Sequence, residues 1–185
     1  MTPAPTARRS GEPEDAVVIA PLTAAPTIVA QLADILIEVV ADGASVHFMH
    51  PLAVADAMAF WQTSLAAAER GERVIFGARD GDSLVATVTL QLAMPPNQPH
   101  RAEIAKMMTR PSHLRRGLAA RLLAVAEARA RAENRTLLVL DTAVDGGASA
   151  LYARHGYVEA GVIPDYAFKP QGGLSGARFF WKRIA

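Results

Sequence analysis

MMTRPSHLRRGLAAR, residues 107–121, is the stretch from which the rest of the chain can be read. Its left end closes an apolar segment and its middle is a short basic loop. Gly117 then opens a helical pattern over residues 118–132, with Leu118, Leu122, Val125 and Ala126 on one stripe. A strand-to-helix turn of this kind aims several backbone N–H groups, and the positive end of a helix dipole, at one point, which suits a phosphate or pyrophosphate. Gly117 removes the side chain where backbone must approach an anion closely, and Ala119 keeps the next turn slim. Arg115 and Arg116 either reach a phosphate oxygen or remain solvated surface charges, and one glycine before a helix is often no more than a cap.

Upstream, residues 101–109 read as a strand. Over 83–92 the pattern has period two, with Leu84, Ala86, Val88, Leu90 and Leu92 on one face and Ser83, Thr87, Thr89 and Gln91 on the other. Asp80-Gly81 suits a tight hairpin back to a strand over 74–78. Residues 24–41 and 52–70 carry helical spacings, and 17–21 form a short β-branched start. Downstream, 136–140 is an apolar run suited to a central strand buried on both faces. A brief helix over 148–154 and strands over 157–163 and 177–184 follow, joined by a turn-rich segment. Strands on both sides of helices, with hairpins before and after, predict one α/β domain over 16–185 with helices packed on a mixed sheet. Residues 1–15 mix Pro, Ser, Arg and acids without an apolar core and read as a loose tail, not a signal peptide.

Composition narrows the chemistry. At 185 residues and 51% hydrophobic the chain can bury one substantial core. A net charge of +1 gives no global field for nucleic acid, and the absence of cysteine excludes disulfides, thiolate metal sites and a cysteine nucleophile. Histidines 47, 50, 100, 113 and 155 show no compact ligand spacing, so no metal is predicted. No apolar run is long enough to cross a bilayer, which makes a cytoplasmic location the default expectation.

Other residues stand out individually. Glu103 sits in an apolar strand, and Asp141 ends the LLVLD run at the C-terminal end of a strand, where ligands of α/β sheets gather. Asp141 equally suits a turn cap, and Tyr152 on the brief helix equally suits the core. Lys106 alternates away from Glu103 if the strand is regular and would then need another partner.

The loop LRRGLA at 114–119 fits the frame Gln/Arg-x-x-Gly-x-Gly/Ala, with Leu114 in place of the first polar residue. With AEIAKMM, LLVLDT, ASALYARHGY, VIPDYAFKPQGG and FFWKRI in order around it, the chain resembles the GNAT superfamily of acetyl-coenzyme A-dependent N-acetyltransferases. The series looks most like the branch containing the tabtoxin resistance acetyltransferase. The resemblance covers about residues 74–184 and implies a single-domain fold, its mixed, mostly antiparallel central sheet splayed in the middle and its helices on both faces.

By resemblance, the cofactor is acetyl-coenzyme A. Its pantetheine arm would pair with the backbone of Met107, Met108 and Thr109, an amide near Met107 or Met108 would hold the thioester oxygen, and Leu114, Arg115, Arg116, Gly117, Leu118, Ala119 and Ala120 would hold the pyrophosphate. Tyr152 occupies the place of the general acid for the departing thiolate. Asp145, where relatives carry Asn, and Ser149 fall in the remaining cofactor-binding segment. Glu103 and Asp141 match the carboxylates implicated in amine activation; if adjacent strands bring them together, repulsion raises one pKa toward the useful range. Water as the proton's route is the alternative.

The acceptor is expected to be the amine of a small molecule such as an antibiotic, toxin or amino-acid-like compound, attacking directly in a ternary complex. Phe60, Trp61, Asp165 and Tyr166 are candidate pocket residues, with core as the plainer role for Phe60 and Trp61. His47 and His50 are loop residues that could face substrate. A protein or peptide acceptor and a non-catalytic acetyl-coenzyme A-binding module are the alternatives. Relatives are often dimers, and the FFW segment at 179–181 could build an interface or simply core.

Overall fold

Along the chain the elements are β1 (Val18–Pro21), α1 (Pro26–Ala41), α2 (Val54–Glu69), β2 (Arg73–Asp80), β3 (Ser83–Gln91), β4 (Arg101–Thr109), α3 (Leu118–Ala132), β5 (Leu137–Ala143), α4 (Ser149–Arg154), β6 (Val158–Phe168) and β7 (Leu174–Arg183). This computed structural model describes residues 17–184, so the tail expected over 1–15 lies outside the described residues. The seven strands form one sheet in the order β1-β2-β3-β4-β5-β7-β6. Every neighbouring pair is antiparallel except β4 and β5. Parallel neighbours require a crossover, which α3 supplies. Among the described residues no helix is long and apolar enough to cross a membrane.

Two cores lie on opposite faces of the sheet. Ile75 packs in the cluster with Leu32, Ile35 and Leu36 of α1, whereas its chain neighbour Phe76 joins Leu118, Leu122 and Ala126 of α3. Successive strand residues point to opposite faces, so helices cover both. Leu32, Ile35 and Leu36 are fully buried, each worth about 1.5–3 kcal/mol relative to exposure.

Two bulges break the alternation expected from sequence. Ala78 pairs with Ala86 and Arg79 with Leu84, leaving Val85 as an extra residue in β3. Leu84 consequently packs with the α1 side while Ala86, Val88, Leu90 and Leu92 stay with the α3 side, which corrects the single-face reading of this strand. Gly77 makes room for the displaced side chain, since a Cβ there would meet Leu84 Cδ2 at 2.6 Å. The second bulge lies in β4. Thr87 pairs with Met108 and Thr89 with Ala105, so Lys106 and Met107 oppose a single residue, and Lys106 adopts φ 48°.

Later elements run longer than their sequence signals. β5 continues to Ala143, which puts Asp141 inside the strand opposite Phe179 instead of at its end. Its burial also alternates, with Leu138 and Leu140 buried and Leu137 and Val139 only partly so, because β5 is not sandwiched evenly. Residues 163–166, expected as a turn, lie within β6, which absorbs its turn-like residues in a bulge with Asp165 at φ 51°. The FFW segment sits on β7, an interior strand between β5 and β6, with Phe180 in the core.

Candidate active site

The site begins where pairing stops. β4 and β5 are joined at Arg101–Leu137, Ala102–Leu138 and Glu103–Val139 and diverge beyond. A cavity of about 880 Å³ fills the divergence, bordered by Glu103 through Thr109 on one strand and Asp141 through Ala143 on the other. That is at the upper end of small-molecule pockets, about 300–1,000 Å³.

At one end the cavity meets the start of α3. Gly117 is its N-cap at φ 74°, and no side chain caps the helix. The first intrahelical bond runs from the Arg121 N–H to the Gly117 carbonyl at 3.2 Å. The N–H groups of Leu118, Ala119 and Ala120 therefore have no partner inside the helix, and all three residues border the cavity. Arg115 borders it at φ 63° and Leu114 is exposed beside it. Arg116 turns away, its guanidinium 3.8 Å from Asp80. His113, to which the sequence drew no attention for this loop, also borders the cavity, with Nε2 3.4 Å from the same Asp80 carboxylate. These features fit a pyrophosphate-bearing cofactor: free main-chain donors at a helix start, and a glycine whose would-be Cβ meets nothing within 4 Å.

At the other end stand Glu103, Lys106, Asp141 and His47. The β4 bulge overturns the expectation that Lys106 faces away from Glu103. Ala102 and Ile104 pack on the α3 side but Met108 on the α1 side, so the alternation flips between them. Lys106 thereby reaches His47 Nδ1 at 3.0 Å and lies over the rings of Phe48 and Phe60 at 6.0 and 5.7 Å. Burial lowers the Lys106 pKa, and the charges of Asp141 and Glu103 raise it in part. Burial and then Lys106 lower His47, against the same two carboxylates. Glu103 also has Arg101 at 3.6 Å. A smaller annex, about 20 Å³, shares His47 and Asp141 with the main cavity and adds Tyr166, whose ring meets Phe179 edge-on at 5.4 Å.

Tyr152 borders the cavity between the two ends. Its ring is buried against Tyr157 and Phe180, both with centroids 5.8 Å away. Burial, with a smaller push from Asp141, raises its phenol to about 12. The proton is thus kept at neutral pH. The same shift bears on stability. An unfolded tyrosine ionises near pH ~10, so below that pH the protonated native phenol has its full advantage. Between about pH 10 and 12 the unfolded state sheds a proton the native state retains, and stability falls by ~1.4 kcal/mol per pH unit. Urea midpoints from pH 9 to 12 should fall less steeply for Y152F than for the native chain; equal slopes would contradict the raised phenol. The comparison is needed because burial raises Tyr157 in the same direction.

Five further sequence candidates sit elsewhere. Trp61 is 0% exposed in the α1–α2 core and cannot touch an acceptor, a correction that follows from its place on the inner face of α2. Phe60 is half-buried between Phe48 and Trp61, with centroids at 5.1 and 5.0 Å, and supports Lys106 instead of bordering the cavity. Asp145 turns to the β6–β7 hairpin, accepting from Ser175 Oγ at 3.3 Å with Lys169 Nζ at 3.7 Å, while Gly146 and Gly147 beside it form the cavity wall. Among the described residues the buried Ser149 hydroxyl has no hydrogen-bond partner, and Asp165 is exposed outside both cavities.

Comparison with known proteins agrees with this geometry. Residues 43–157 match the acetyltransferase (GNAT) family. The fold is similar to that of a Salmonella typhimurium protein, provisionally assigned as an acetyltransferase and solved with its cofactor acetyl-coenzyme A. The TM-score is 0.74 at 15% identity, covering 90% of this chain and 94% of that one. It is similar, too, to a ribosomal-protein-alanine N-acetyltransferase from Brucella melitensis, with TM-score 0.75, 18% identity and coverage of 90% and 99%. A protein provisionally assigned as a phosphinothricin N-acetyltransferase gives TM-score 0.75, 16% identity and coverage of 91% and 99%. At these identities the likeness is one of fold, and it is the match over residues 43–157 that assigns the family. The chain belongs to the GNAT family and is an acetyl-coenzyme A-dependent N-acetyltransferase.

Proposed function

We propose that the chain acetylates the amine of a small molecule, which attacks directly in a ternary complex. The observation that carries this reading is the continuity of one cavity from the uncapped start of α3 to the carboxylates Glu103 and Asp141. The narrow annex beside His47, Asp141 and Tyr166 favours a small acceptor, as does the resemblance of the later segments to the tabtoxin resistance branch.

Acetyl-coenzyme A, when bound, supplies an acetyl thioester whose carbon accepts the amine nitrogen as the C–S bond breaks. The α3 N–H groups and Arg115 hold the pyrophosphate, and the open edge of β4 at Met107, Met108 and Thr109 offers main-chain groups to the pantetheine arm. An amide there can also donate to the thioester oxygen as charge develops on it. Asp141 or Glu103 takes the proton that a protonated amine must lose before it can attack. Tyr152 keeps its own proton to neutral pH and can deliver it to the leaving sulfur.

A thiolate is a tolerable leaving group, so the proton from Tyr152 assists without being indispensable. Y152F is expected to lower kcat about tenfold and leave acetyl-coenzyme A affinity within about twofold. Unchanged turnover would remove the acid role. The reading as a whole is tested by coenzyme A release against amino acids, polyamines, aminoglycosides, β-lactam amino acids and N-terminal peptides; activity confined to the peptides would overturn it.

A further inference from the structure

Lys106 is more than a counter-ion for the carboxylates around it. Its ammonium group carries three donors, and among the described residues one is used, by His47 Nδ1 at 3.0 Å. It forms no ion pair there, although Glu103 and Asp141 both border the same cavity and both act on it electrostatically. A lysine placed to neutralise those carboxylates would close on one of them. Instead the β4 bulge, with Lys106 at φ 48°, holds the ammonium against Phe48 and Phe60 at the cavity wall.

A lysine ammonium can only donate, so His47 Nδ1 accepts and the proton of the neutral ring sits on Nε2. Lys106 and His47 thus present donors on the same cavity to which Glu103 and Asp141 present acceptors. A pocket for a bare cationic amine would need the carboxylates alone, and a buried cation beside them would oppose such a ligand. Donors and acceptors together complement a molecule that carries both charges.

We propose that Lys106 and His47 form an anion-binding subsite for the acceptor, so that the amine acetylated belongs to a molecule that also bears a carboxylate, an amino acid or a close analogue. This rests on the small-molecule reading above. In this arrangement the acceptor carboxylate bridges the Lys106 ammonium and the His47 imidazole, and its amine turns toward Asp141 and Glu103. Lys106 is then a specificity-determining residue and takes no part in the proton transfers.

The test compares each amino acid with its amide and with its decarboxylated amine in the coenzyme A release assay, for the native chain and for K106M, K106R and H47A. The amides keep the α-amine and lose the negative charge; their amine pKa also falls to about 8, which leaves more neutral nucleophile and works against the expected preference for the acids. For the native chain the carboxylated member of each set should be preferred by about ten- to a hundredfold in kcat/KM. K106M should erase that preference mainly through KM, costing the acids far more than the amides and amines, and K106R should restore part of it. Thermal unfolding of each variant checks that the fold survives. Equal turnover of acids and amides by the native chain would overturn the subsite, as would a K106M that slows both alike through kcat. Turnover of polyamines or aminoglycosides without any amino acid would also overturn it and leave the small-molecule reading standing, whereas no turnover of any small amine would remove both.

Discussion

Replacing Gly117 by valine is expected to abolish measurable acetyl-coenzyme A binding while the protein still unfolds cooperatively near its native midpoint. Gly117 sits at φ 74°, and an added Cβ would meet no protein atom within 4 Å. The fold therefore bears only the backbone strain of an L-residue in the left-handed region, about 1–2 kcal/mol and somewhat more for a β-branched one. That is small beside a typical stability of roughly 5–15 kcal/mol. The open space, however, is the approach to the uncapped N–H groups of Leu118, Ala119 and Ala120. Charge-assisted hydrogen bonds of this type contribute about 1.5–3 kcal/mol each, so screening two of them raises Kd by at least ~100-fold. G117A shares the strain with little of the bulk and should lose much less. Calorimetric titration with acetyl-coenzyme A reads the difference, and native affinity in G117V would mean that the pyrophosphate lies elsewhere.

That prediction was open to a reader of the sequence, because everything it uses is local. The bounds of β4 and α3 follow from residues adjacent in the chain, and Gly117 announces the turn between them. The opposite end of the site was not legible in the same way. Lys106 faces away from Glu103 only if alternation is regular over 101–109, and the bulge that reverses it is fixed by how β4 registers on Thr87 and Thr89 of β3. Nothing in AEIAKMM itself marks that register. Leu84 leaves the face that alternation predicts for the same reason, through Val85. For Phe60 and Trp61 core is the plainer role, but the pattern does not exclude the pocket, since which face of α2 meets α1 is a tertiary decision. Asp145 falls in the cofactor-binding segment by resemblance alone, yet Ser175 and Lys169 of the β6–β7 hairpin draw it away. Local chemistry was readable, then, and the long-range register that aims it was not.

Register also separates the two carboxylates, whose removal should have the second of the largest effects. Glu103 lies at the last paired position of β4 and β5 and has Arg101 at 3.6 Å. Asp141 lies beyond that point, borders both the main cavity and the annex, and its charge acts on Tyr152, Lys106 and His47 together. It is the better placed to take a proton from an acceptor amine next to Tyr152. D141N should therefore lower kcat/KM at neutral pH by about 10²–10³-fold and E103Q by nearer tenfold. The sign of the pH effect follows from the amine. With the carboxylate present, the protonated acceptor is deprotonated within the complex; without it, only acceptor molecules already neutral in solution react. Alkyl amines titrate near ~10, so the acid limb of the D141N profile should move toward higher pH and much of the lost rate should return by about pH 9–10. Profiles of kcat/KM from pH 6 to 10 for the native chain, D141N, E103Q and the double variant separate the possibilities. If all four rise with pH along the same curve, the proton leaves through water and neither carboxylate is the base. If the double variant is no slower than D141N alone, Glu103 serves Arg101 and the sheet, and Asp141 alone activates the amine.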